Sequence, residues 1–555
     1  MHFNDMPYRR VTFEEIEARY QALFERIRTL RGREDCLPAM EAYYRLLDDM
    51  TPMDLCYVRH DMDLNEAFYA GEQRYYDEIG PRIGDLSNQL EGLLLNSPYS
   101  ACFEELMGSF AFDLMRCSRE SRDSRLIPLE QQENTLSGRY SVVTANAQAE
   151  YEGAVVSRSS LAAKQQSPDR ETRRRASAAV AASWAEQREE LEELFHALVQ
   201  NRDKQAKLLG YPNYVKLAYL RMDRIGYTSE DVSRFREQVK ESLVPVAAAI
   251  HEQRKKRLGL EHLYSFDSPL NFPNGNPVPL GDTEFCLEST REMFRKLSPE
   301  TGEFIDFLMD NGLYDVKPRD GKRSGGYCMY LSAYRAPFIF ANFDGTHENA
   351  YIMSHEGGHA FYAYLKREEK IRERCGYTSE MAETHAMAME FFVAPYMELF
   401  FGSRAEDYRR MHLESAVSRI IYQCQQDEFQ QIIYEHPELS KEERNGVWEK
   451  LEQSYFPFRE YTEEEKQRIG RRWQCIPHLY HWPFYAIDYG LAQVCALEYA
   501  RWMDEDKDGA WQSYLRFCRA SGNMNFPEAL KAAGLESPFE EGCLTHLVDW
   551  LQKRL

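Results

Sequence analysis

Apolar positions along this chain recur mostly at helical spacing. From Phe13 through Leu30, and again from Ala176 through Leu209, hydrophobic residues return every three or four positions with few turn dipeptides between them. That interval lines up one apolar stripe on an α-helix, so a mainly α-helical fold is predicted. Residues 1 to about 200 read as a succession of such helices, broken near Pro98, Pro128 and the polar stretch Gln165 to Asp169. The segment Ser265 to Asp282 holds four prolines and two glycines, too many for a helix interior, and separates one helical block from the next. After the loop Lys317 to Gly326, the residues Pro337 to Phe343 (PFIFANF) favour a short strand. No repeat at a period of 20 to 50 residues is visible.

The candidate chemistry begins just after that strand. The helical-period segment HENAYIMSHEGGHAFYAYLKREEK contains His355-Glu356-Gly357-Gly358-His359. Positions i and i+4 of a helix share one face, so both imidazoles can converge on one cation while Glu356 reaches a water beside it. Two histidines and a carboxylate around an open position suit zinc, with Glu356 as general base. Chance alone would produce HExxH in a chain of this composition about three times in a hundred. The bland alternative is two surface histidines beside an acid. Against it stands the Gly-Gly pair, because each glycine inside a helix costs roughly 1 kcal/mol relative to alanine and needs a compensating reason, such as close packing or ligand access.

A third ligand must come from further along. The metzincin position is occupied by Leu365, and the thermolysin-like positions by Thr378 or Ser379, which leaves Glu373, Glu380, Glu383 and His385. The segment Thr378 to Phe392 reads as a second helix, with Thr378 or Ser379 as N-cap. On it Glu383, Met387 and Glu390 share a stripe, so Glu383 could bind the metal with Glu390 behind it as acceptor for a ligand histidine. Glu380 lies near the same stripe and stays a rival.

Charge and cysteine usage narrow the surroundings. With 90 acidic against 68 basic residues the formal charge is −22, which argues against a nucleic-acid or acidic-membrane binder. The basic run Arg173 to Arg175 reads as a solvated helix face. No stretch is apolar enough to span a membrane, and the start carries no apolar core of an export signal. Twelve cysteines without a CxxC pair predict reduced thiols, no disulfide framework and no cysteine zinc site. A cytoplasmic protein is therefore expected, and nothing here sets its oligomeric state.

The motifs HEGGHA (355–360) and AETHAMAME (382–390) together resemble the thimet oligopeptidase and oligoendopeptidase F family of zinc metallopeptidases, and especially its shorter bacterial, Pz-peptidase-like branch. The family pattern is HExGHA followed by AExxSxxxE; Ala386 stands here in place of the serine. The resemblance implies Glu383 as third ligand, one zinc per chain, and short peptides as substrates cut at internal bonds. It implies a two-lobed helical body with a deep central cleft and a small sheet beside the HExxH helix. It also covers Arg202 to Tyr214 and PFIFANFDGT, where Ala341 and Phe343 would offer main-chain hydrogen bonds to a peptide. In CIPHLYHWPFYAIDYGLA, His478, Tyr485 and Tyr489 match residues that stabilise the oxyanion, whereas Ile487 replaces a further tyrosine. Packing of an aromatic helix face would explain those tyrosines equally well. The division expected is a helical lobe or lid over residues 1–200 and a catalytic region over 201–555. A dipeptide-releasing zincin and a non-catalytic peptide-binding scaffold with a relic site are the competing readings.

Overall fold

Thr12 and Glu15 show how the first periodic stretch starts its helix. The Thr12 hydroxyl accepts from the Glu15 N–H at 3.3 Å, and the Glu15 carboxylate accepts from the Thr12 N–H at 3.0 Å. This capping box opens the helix Phe13–Arg28. Its buried face of Ile16, Tyr20, Leu23, Phe24 and Ile27 joins one hydrophobic core with the helices Cys36–Met62 and Ala67–Asn96. In the computed structural model, which describes residues 1–145 and 147–555, helices account for 72% of the chain and strands for 4%. The mainly α-helical expectation holds.

Two compact units are present, each assembled from three chain segments. One comprises residues 1–120, 278–405 and 502–535; the other comprises 121–277, 406–501 and 536–555. The expected division at residue 200 is therefore replaced, because helices distant in sequence bury their apolar faces against one another.

In the first unit a three-stranded sheet has the order β3 (Tyr314–Asp315), β5 (Ala336–Phe340), β4 (Tyr327–Leu331). β5 is central, parallel to β3 and antiparallel to β4, and all five of its residues are buried. The helix Glu348–Lys366, carrying His355, packs on β4 and β5, so the sheet lies beside the HExxH helix as expected.

The second unit holds a feature that the helical reading overlooked: a hairpin of β1 (Gln148–Tyr151) and β2 (Ala154–Ser157). Its two-residue turn, Glu152-Gly153, has positive φ at both positions (52° and 79°), the twist that suits a tight hairpin. The basic run also differs from expectation. Arg173 is buried and paired with the buried Asp267 at 2.7 Å, while Arg174 stays exposed and paired with Glu171.

Candidate metal centre

Helical spacing places His355 and His359 one turn apart with ring centroids 5.0 Å from each other. The helix Ser379–Phe392 crosses the His355 helix in the same unit and brings Glu383 to them. Ligand atoms of His355, His359 and Glu383 all lie within 4.8 Å of one another, the only such trio of metal-ligating side chains among the described residues. His355 Nε2 is 3.5 Å from Glu383 Oε2. The rivals lie elsewhere: the Glu373 carboxylate accepts from the Tyr44 hydroxyl, His385 Nε2 lies 3.0 Å from Ser521 Oγ, and Glu380 does not belong to the trio.

The glycine pair now has its reason. A Cβ on Gly358 would sit 2.6 Å from Ala386 Cα and 2.7 Å from the His385 carbonyl oxygen, so the two helices meet backbone to backbone there. A Cβ on Gly357 would meet the Phe294 ring at 2.6 Å. Close approach at Gly358 is what lets a carboxylate from the second helix reach two imidazoles on the first.

The surrounding charges fit a cation. His355 Nδ1 is 2.8 Å from Glu390 Oε1, an acceptor that keeps the proton on Nδ1 and leaves Nε2 as the donor atom facing Glu383. Burial works against charging His355, yet its hydrogen bonds to Glu383 and Glu390 outweigh that and hold the imidazole up at about 10. Burial pushes His359 down to about 4 and pushes Glu356 up to about 7. In effect two buried carboxylates recruit a proton onto His355, a role that a divalent ion fills better at neutral pH. Glu356 Oε2 is buried and has no hydrogen-bond partner among the described residues.

The expected main-chain contacts at Ala341 and Phe343 need correction. Ala341 donates its N–H to the Asp315 carbonyl and Phe343 donates to the Val316 carbonyl, both at 2.9 Å. The Ala341 carbonyl accepts from Lys322 Nζ at 2.6 Å. These residues continue the central strand, and their amides are already spent on the β3 side. β4 is the longer of the sheet's two edge strands. Ile339 gives its N–H to Leu313, and Pro337 has none, so Cys328 and Tyr330 opposite them turn their main-chain groups away from β5 toward the open edge. β4 runs beside Glu356: the Cys328 thiol is raised well above its ordinary range by burial and by the Glu356 charge.

In the second unit, His478, Tyr485 and Tyr489 come together. The His478 and Tyr485 rings stack 5.6 Å apart, and Tyr489 lies 5.2 Å from Tyr485 and 6.0 Å from His478. Tyr485, just ahead of the helix Ala486–Glu505, and Tyr489 in its first turn both lie on a partly exposed face, whereas Ile487 between them is fully buried. Replacing a tyrosine at 487 therefore removes no hydroxyl from that face.

Profiles of known families match most of this chain: the peptidase M3 N-terminal domain over residues 3–121, and peptidase family M3 over 163–271 and 303–549. The chain belongs to peptidase family M3. Among solved structures, Pz peptidase A with an inhibitor superposes on this M3 chain with a TM-score of 0.92, at 36% identity over 99% of both chains. Oligopeptidase PepF of Bacillus subtilis (strain 168) is 26% identical over 52% of this chain and 44% of its own length. The oligoendopeptidase F homolog of Borreliella burgdorferi is 25% identical over 54% of this chain and 51% of its own. The chain thus spans about half the length of the curated relatives it matches.

Proposed function

We propose that this M3 chain is a zinc-dependent oligoendopeptidase that hydrolyses internal bonds of short peptides. The observation that carries this reading is the convergence of His355, His359 and Glu383 within 4.8 Å, beside the buried, unpartnered Glu356 oxygen. One zinc held by those three side chains supplies Lewis acidity toward water and the scissile carbonyl. Glu390 fixes the His355 tautomer. Glu356 takes the proton of the attacking water and passes it to the leaving amine. The substrate backbone pairs with β4 through Cys328 and Tyr330 by strand addition, and His478 with Tyr485 or Tyr489 hydrogen-bonds the developing oxyanion. Twelve free cysteines and the acidic balance support a cytoplasmic location and peptide partners over nucleic acid; among the described residues, no helix is long and apolar enough to cross a membrane.

Glu356→Gln tests the assignment. The variant should retain one zinc per chain by metal analysis and lose about 10²–10⁴-fold in turnover of a quenched peptide. Full activity, with contaminating peptidase excluded, would refute the role. Products released in a two-residue ladder would instead favour a dipeptide-releasing zincin, and purified protein without stoichiometric zinc would favour a scaffold.

A further inference from the structure

The tyrosines of the second unit depend on an unusual turn. The short helix Pro477–His481, which carries His478, ends at Trp482, and the helix Ala486–Glu505 begins four residues later. Between them Phe484 has φ of 67°, a left-handed conformation that costs a bulky residue free energy and persists only where its surroundings impose it. This turn folds the second helix back so that Tyr485 stacks on His478, with Tyr489 one helical turn further along.

Three restraints hold Phe484 there. Its N–H donates to Gln430 Oε1 at 2.7 Å, and its carbonyl accepts from Arg224 Nη2 at 2.5 Å. Its ring is buried between Tyr219 and Tyr434, each 5.7 Å away. Arg224 Nη2 also pairs with Asp488 Oδ1 at 2.8 Å, tying the turn to the first turn of the tyrosine helix. On the other side of the turn, Arg202 donates to the Leu479 and Tyr480 carbonyls at 3.2 and 2.5 Å.

Gln430 is the informative member. It is fully buried, and the bond to Phe484 is the only one described for its side chain; its Nε2 has no partner among the described residues. A half-satisfied buried amide is a poor choice for stability alone. Its one evident task is to hold the Phe484 peptide.

We propose that Gln430 and Arg224 are positioning residues which, through the left-handed turn at Phe484, aim the Tyr485 and Tyr489 hydroxyls for catalysis. The proposal rests on the oxyanion role assigned above to those tyrosines. Relaxation of Phe484 to ordinary φ rotates the peptide planes on both sides of it and swings Tyr485 off His478.

A double-mutant cycle provides the test. In the full-length zinc-loaded protein, Tyr485→Phe/Tyr489→Phe should lower kcat by about 10²–10³-fold, the range for loss of an oxyanion donor. Gln430→Met should lower kcat by about 10–10²-fold with KM changed less than twofold, and Gln430→Glu, which keeps an acceptor oxygen, should recover most of the loss. Added to the tyrosine pair, Gln430→Met should cause no further decrease, because the hydroxyls it positions are already gone. Parental kcat in Gln430→Met, or a full multiplicative loss in the combined variant, would overturn the positioning role while leaving the tyrosines' role intact. Parental kcat in the tyrosine pair would overturn the oxyanion reading and this proposal with it. Should Gln430→Met not fold, Arg224→Lys enters the same cycle with the same outcomes.

Discussion

Gly358→Ala perturbs the metal centre without touching a ligand. The added Cβ would lie 2.6 Å from Ala386 Cα and 2.7 Å from the His385 carbonyl oxygen, both backbone atoms that no side-chain rotation can move aside. Ordinary contact begins at 3.4 Å, so the shortfall is 3.4 − 2.6, or about 0.8 Å, and the helices must separate or slide by that order. Metal sites tolerate ligand displacements of only about 0.2 Å. Glu383, three residues before Ala386 on the displaced helix, would then lose its place in the trio. Overpacking of this kind costs about 1–3 kcal/mol, offset by roughly 1 kcal/mol of improved helix propensity, so the net loss of stability is modest. Zinc affinity should suffer more, by at least the 10–100-fold that loss of a supporting contact produces. Competition against a chromophoric chelator measures the affinity, and thermal unfolding of the metal-free protein measures the stability. Gly357→Ala is the control for the backbone clash, since its Cβ meets the tip of the Phe294 side chain at 2.6 Å and not the backbone of the Glu383 helix. If Gly358→Ala binds zinc as tightly as the parent, the helix-approach argument is wrong.

Two further expectations follow from charges around the sheet and the centre. Glu390→Ala removes the acceptor 2.8 Å from His355 Nδ1 and should weaken zinc binding about 10–100-fold, with Glu390→Gln losing less because its amide oxygen still accepts; parental affinity in Glu390→Ala would count against the tautomer argument. Burial raises the Asp315 carboxyl, but hydrogen bonds from Arg319 and Lys322 overcome this and keep it below its ordinary value of 3.8. A depressed folded value contributes stability that is fully present above 3.8 and is lost as pH falls through the lower value. Asp315→Asn should therefore flatten the acid limb of stability against pH in urea titrations, and an unchanged acid limb would refute this.

Several features of this protein were already fixed by local order along the chain. The placement of His355 and His359 on one face follows from the helix period. The start at Thr12, the break across the proline-rich segment before Thr283, and the stripe shared by Glu383 and Glu390 depend on residues within a few positions of one another. Even the Gly357-Gly358 pair announced that something must come close, though not what. Other features were decided by tertiary structure, because they depend on pairings between distant segments. That β5 is central turns on where the Ile339, Ala341 and Phe343 amides find their acceptors, and those acceptors lie in and around a strand more than twenty residues earlier. The burial of Arg173 depends on Asp267, and the left-handed turn at Phe484 depends on Gln430 and Arg224. Buried polar groups must find partners wherever the fold supplies them, and one-dimensional periodicity carries no record of those partners.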